Sequence, residues 1–172
     1  LGGFITLSLL WLVLLRQGVF ARVHRGLPSP GKHAAIALVA VVAQIALGGW
    51  VSSNYAALAC HDFPSCDGSY SPTIDLAAGF NIFQGVGPSY LGGLMDNDAR
   101  KAIHWVHRLS AIGVALIVLS LAWRLMRANR LIASAMVVVL IAQIVLGILN
   151  VVWVLPLFNA TLHNVGGALL LI

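Results

Sequence analysis

The stretch Ala102-Ile-His-Trp-Val-His-Arg-Leu-Ser-Ala-Ile-Gly-Val-Ala-Leu-Ile-Val-Leu-Ser-Leu-Ala-Trp123 carries one Arg, at position 108, and is otherwise apolar apart from two histidines near its start. A helix needs about 20 mostly apolar residues to cross a bilayer. Residues 33–54 and 131–154 reach that length with no Asp, Glu, Lys or Arg inside them. Residues 1–15 and 160–172 are equally apolar and read as the tail of one span and the head of another. A signal peptide at 1–15 lacks the basic segment that should open it. With 60% hydrophobic and 9% charged residues, the composition is far from the roughly 25% charge of a soluble domain. We therefore expect an all-α integral membrane helical bundle. Residues 1–32 read as the end of a preceding transmembrane helix plus a basic loop. Residues 33–172 read as a four-helix bundle with its last helix cut short and an outer loop over 55–101.

The net charge of +5 does not mark a nucleic-acid surface, because the basic residues flank the spans. Arg16, Arg22, Arg25 and Lys32 precede the 33–54 span, and Arg124, Arg127 and Arg130 lie between 102–123 and 131–154. The 55–101 loop holds only Arg100 and Lys101, along with every Asp and both Cys. Lys and Arg mark the cytoplasmic side. The 55–101 loop and the turn at Pro156 are thus expected outside. The spans beginning near 102 and 160 then both run inward from the outer face.

That orientation gives His107 and His163 similar expected depth. They sit in comparable settings, His107-Arg-Leu-Ser-Ala111 and His163-Asn-Val-Gly-Gly167. Ionisable side chains inside spans are usually functional. Two imidazoles facing one another in a helix bundle are what a six-coordinate haem iron requires. Zinc would want three or four ligands, and no Cys or carboxylate is expected at that depth. Hydrogen bonding between helices is the plainer alternative. His104 is the rival ligand, three residues earlier and nearer the interface, where a solvated or propionate-side place is expected. Arg108, with Arg100 and Lys101, is placed to pair with haem propionates or to anchor the helix at the interface.

Cys60-His-Asp-Phe-Pro-Ser-Cys66 suits a disulfide on the outer face. A structural staple, a redox-exchanging pair and a zinc site with His61 stay open. Gln44, Gln143, Asn150 and Asn164 are expected to hydrogen-bond between helices. Trp50, Trp105 and Trp153 are expected in an outer aromatic belt, and His24 and His33 in solvent. Thr73 to Phe83 is expected to form an amphipathic helix over the outer pocket. An internal repeat joins Ala43-Gln-Ile-Ala-Leu-Gly48 to Ala142-Gln-Ile-Val-Leu-Gly147. Leu1-Gly-Gly3 matches Val165-Gly-Gly167 in the same way, so a further His is expected two positions ahead of Leu1.

Gly48-Gly-Trp-Val-Ser-Ser-Asn-Tyr55, the Cys60–Cys66 segment, Ile103-His-Trp-Val-His-Arg108, Gln143-Ile-Val-Leu-Gly147, Leu155-Pro156 and Ala160-Thr-Leu-His-Asn164 together resemble the haem A synthase family, over nearly the whole chain. The resemblance implies eight spans in two pseudo-symmetric halves, of which this chain is the C-terminal one. It implies haem b between His107 and His163, with Cys60 and Cys66 as the family's paired outer-loop cysteines. It implies oxidation of a haem O methyl to the formyl of haem A, with oxygen drawn from water, in a bacterial plasma membrane. A mitochondrial inner membrane is the other setting. The family's substrate-side His pair and catalytic Glu lie in the other half, and this chain has no Glu. No catalytic residue is therefore expected here, and the half alone should be inactive. Haem O, the lipid bilayer, haem O synthase and the terminal-oxidase assembly machinery are the implied partners, with self-association open. A bis-His cytochrome b that only carries electrons is the alternative function.

Overall fold

The computed structural model describes residues 31–83 and 95–171, and Gly3, Thr6, Leu9, Leu10 and Val13, all five helical. The rest of the 1–15 span, the loop bearing Arg16, Arg22, His24 and Arg25, and the expected His ahead of Leu1 lie outside the described residues. Five helices follow in order: α1 (Lys32–Ser53), α2 (Leu76–Gly79), α3 (Asn97–Leu125), α4 (Arg130–Val152) and α5 (Leu157–Leu171). Among the described residues, α1, α3 and α4 are long and apolar enough to cross a membrane, with mean hydropathies of 2.2, 1.8 and 2.7. The chain is an all-helical, multi-pass membrane protein.

Hydropathy placed the start of the third span at 102, but α3 begins at Asn97. The Asp96 carboxylate accepts the Ala99 N–H at 2.9 Å, and this cap carries the helix outward past the apolar run. Asn129 starts α4 in the same way through Ile132 N–H at 3.1 Å.

The repeat read in the sequence extends into backbone geometry. At the end of α1, Ala56 N–H reaches Val51 C=O at 2.9 Å and Tyr55 N–H reaches Ser52 C=O at 3.3 Å. At the end of α4, Leu155 N–H reaches Asn150 C=O at 2.7 Å and Val154 N–H reaches Val151 C=O at 3.1 Å. Both are Schellman caps, whose left-handed position usually holds Gly. Here it holds Tyr55 at φ 53° and Val154 at φ 56°. A β-branched residue is strained there. Val154→Gly should therefore raise thermal stability by about 1 kcal/mol, the strain relieved outweighing the entropy Gly adds to the unfolded chain. Unfolding in detergent checks this, and an unchanged or lowered midpoint contradicts it.

The helices pack as a closed ring: α1 on α3, α3 on α4, α4 on α5, and α5 back on α1. His33 bonds Arg124 at one end of the α1–α3 pair. At the other end, Val51, Ala56, Met95, Ala99 and Ile103 form a buried cluster. A second cluster, Val41, Val118 and Leu140, fills the opposite half of the bundle. Large apolar side chains such as Ile36, Leu116, Val138 and Leu157 point outward, as lipid-facing residues should.

The amphipathic helix expected over 73–83 is only one turn, α2, capped by Asp75 through Ala78 N–H at 2.9 Å. It ends at Gly79 because the turn is pressed onto α3. A Cβ at Gly79 would stand 2.7 Å from the Ala99 carbonyl oxygen. Trp50, expected in the aromatic belt, is half-buried and donates its indole N–H to Gly79 C=O at 2.9 Å. Ile82 and Phe83 stay exposed beyond it.

Candidate functional site

His107 lies on α3 and faces α1. The Gln44 amide nitrogen is 3.1 Å from His107 Nδ1 and donates to the His107 backbone carbonyl at 3.0 Å. Ser110 Oγ holds the other end of that carboxamide, 2.6 Å from Gln44 Oε1. One helical turn along from Gln44, Gly48 leaves the imidazole its space, since a Cβ there would come within 3.3 Å of His107 Cε1.

His163 lies on α5 and faces α4 in the matching way. A Cβ at Gly147 would come within 3.2 Å of His163 Cε1. Gln143 stands one turn before Gly147, as Gln44 does before Gly48, and its carboxamide packs against Gly166. Each half of the repeat thus carries a Gln and a Gly four residues apart on one helix face, with the Gly set against one imidazole. His163 Nδ1 and Gln143 Nε2 are buried with no hydrogen-bond partner.

His104 is 5% exposed, so the solvated place expected for it is corrected. The Cys60 N–H lies 3.4 Å from its Nδ1, and Arg108 Nε lies 3.1 Å from its Nε2. A neutral imidazole has one acceptor nitrogen, so only one of these bonds forms at a time. His104 is buried because the outer loop folds down onto α3 above it.

Arg108 is the clamp for that loop. Its Nη1 donates to Asp62 C=O at 2.9 Å and Ser65 C=O at 2.8 Å, and its Nη2 to Cys60 C=O at 3.1 Å. The guanidinium also lies 5.9 Å from the Phe63 ring centroid. Cys60 and Cys66 form a disulfide and are fully buried, so the loop is a closed ring around the guanidinium. A zinc site with His61 is ruled out for this state, since both sulfurs are bonded to each other. Cys66-Asp-Gly-Ser69 turns tightly, with Asp67 at φ 53° and Gly68 at φ 75° and reciprocal bonds between Cys66 and Ser69 of 2.9 and 3.1 Å. Asp-Gly with both residues left-handed is the favoured two-residue hairpin turn.

Lys101 and His61 sit 3.0 and 3.2 Å from Asp67. The hydrogen bond from Lys101, then that from His61, lowers the Asp67 carboxyl from 3.8 to about 2. A depressed carboxyl adds stability above its unfolded pKa and loses it as pH falls through the folded one. Hydrogen-exchange protection over residues 61–69, taken relative to the intrinsic rate at each pH, should therefore fall between about pH 4 and pH 2, and Lys101→Met should show that lower protection already at neutral pH. Equal protection across the window would break the link.

Among the other polar residues, Asn159 was not singled out by the sequence. It is buried and donates to Leu146 C=O at 2.8 Å and Asn150 Oδ1 at 2.7 Å, tying α5 to α4. Its neighbour Asn164, expected between helices, is exposed.

The profile of the COX15-CtaA family, described as cytochrome oxidase assembly protein, matches residues 1–172. A heme A synthase of Shewanella oneidensis is 45% identical over 177 residues, covering 100% of this chain and 53% of that protein. Heme A synthases of Methylobacterium radiotolerans and Rhodospirillum centenum are 30% and 35% identical, over 95% and 83% of this chain and 42% and 36% of their own lengths. The chain thus spans about half the length, or less, of these curated relatives. No solved structure matches it. The profile match runs the full length of the sequence, and on that ground the chain belongs to the COX15-CtaA family of cytochrome oxidase assembly proteins.

Proposed function

We propose that this bundle is the cofactor-holding half of a haem A synthase, binding haem b between His107 and His163. The observation that carries the reading is the twofold arrangement of Gln, Gly and His around the α1–α3 and α4–α5 pairs. Each imidazole is set against a glycine. The donor set fits the group: two imidazoles from facing helices are a bis-His haem ligation. The partnerless nitrogens of His163 and Gln143 are polar atoms that a bound group or its ligand shell would engage.

When bound, the haem supplies a one-electron redox centre. The protein's own part is to hold both rings at one level and close the outer end. His104, Arg108 and the disulfide ring make that closure, excluding water above the imidazoles. The substrate is haem O, oxidised at a methyl group to haem A, with the catalytic carboxylate outside this chain. The setting is a bacterial plasma membrane.

The test is pyridine haemochrome analysis and low-temperature EPR of the full-length protein purified from membranes. Haem b with a low-spin signal, accompanied by haem O or haem A, is expected. Haem b with neither of the others refutes the synthase reading. Absence of haem refutes the site.

A further inference from the structure

We propose that Gln44 is a positioning residue for His107, its carboxamide selecting the imidazole tautomer that leaves Nε2 bare for iron. This rests on the haem reading above. An imidazole that ligates through Nε2 must carry its proton on Nδ1, and that proton needs an acceptor. Gln44 is the side chain at hydrogen-bond distance from Nδ1, 3.1 Å away.

As the structure stands, the Gln44 amide nitrogen faces Nδ1, which keeps Nδ1 an acceptor and leaves the proton on Nε2. A half-turn about the terminal bond of Gln44 exchanges nitrogen and oxygen. Oε1 then accepts the Nδ1 proton and Nε2 of imidazole is released for ligation. At the near end the turn brings Oε1 beside the His107 carbonyl oxygen, a repulsion that the bond from Nδ1–H has to offset; the far end tolerates both settings because Ser110 is a hydroxyl. It now donates to Gln44 Oε1 at 2.6 Å, and after the turn it accepts from the amide nitrogen. The His107 carbonyl loses the amide donor and gains the Ser110 hydroxyl, 3.0 Å away, whose single proton the turn releases from Gln44 Oε1. A side chain held at both ends by one helix, reaching the ring from another, is placed to orient that ring. A simple interhelical tie needs only one of these contacts.

At His163 the same parts are present in register, and there Gln143 Nε2 and His163 Nδ1 are both without a hydrogen-bond partner. The two histidines are thus supported unequally: a fixed carboxamide reaches His107, and the Gln143 carboxamide, packed against Gly166, does not engage His163.

The experiment is a redox titration of the full-length protein, read on the low-spin signal that His107→Ala abolishes. Gln44→Leu removes the acceptor, makes the imidazole a weaker donor to ferric iron and should raise the midpoint potential with the haem retained. Gln44→Glu keeps an oxygen there and should bring the potential back to the native value or below it. Ser110→Ala, which frees the far end of the carboxamide, should shift it upward by less than Gln44→Leu. An unmoved potential in Gln44→Leu, or the same upward shift in Gln44→Glu, overturns the assignment. Absence of any low-spin haem in the unsubstituted protein instead refutes the haem reading, so the two failures are separable.

Discussion

Alanine at His107 or at His163 should abolish the low-spin haem signal of this bundle while leaving the helices folded. In the proposed bis-His site each imidazole is one of only two ligands, and the position opposite cannot be filled from its own helix. Losing a group that merely supports a metal ligand typically costs 10–100-fold in affinity, and losing the ligand itself should cost at least that. The neighbouring glycines sharpen the test. Gly48→Val and Gly147→Val place side-chain atoms where the rings now pass, since even a Cβ comes within 3.3 and 3.2 Å of them. They should weaken haem retention in the same direction without removing a ligand. His104→Ala should leave the low-spin signal in place, because His104 is engaged with the outer loop rather than with the facing helix. Retention of a normal bis-His spectrum in either alanine variant, or its loss in His104→Ala, contradicts the assignment. Haem content and EPR on matched preparations measure all of these.

Arg108→Ala should open the outer loop while the disulfide stays closed. Three backbone carbonyls, of Cys60, Asp62 and Ser65, lose their donor together. A buried acceptor left unsatisfied costs about 1–3 kcal/mol, so a local loss of about 3 kcal/mol is expected. Hydrogen exchange should quicken over residues 60–69 and at the start of α3. Arg108→Lys should recover only part of the protection, since an ammonium cannot match the guanidinium's forked reach to several carbonyls. Haem content separates this role from the propionate pairing that the sequence suggested. An open loop with haem retained fits the clamp. Haem lost with the loop still protected would assign Arg108 to a propionate.

Much of the architecture was legible because the bilayer leaves few choices. Long charge-free runs can only be helices there. The histidine pair was legible for the same reason, as ionisable groups in otherwise apolar spans. What hydropathy could not show was where helices end, because ends are set by caps such as Asp96 and not by apolarity. It also could not show which side chains answer which. The Gln44 and Gly48 repeat was visible as a string, and their spacing of four already placed them on one face. That their face meets His107 depends on the packing of α1 against α3. The three loop carbonyls that converge on Arg108 were not legible either, since the sequence shows only its place beside a ligand candidate. Asn159 went unnoticed because a buried Asn near a helix start looks like any interfacial residue until its partners are known.

The separation of His107 on α3 from His163 on α5 fixes an order of events during synthesis. His107 enters the bilayer while α4 and α5 are still to be made, and the two imidazoles meet only after that hairpin has inserted behind it. A flat ligand captured early would hang from a single ring. In the proposed haem site the completed grip belongs to the finished bundle, so insertion of α5, and not affinity alone, sets when a cofactor can be held by both rings.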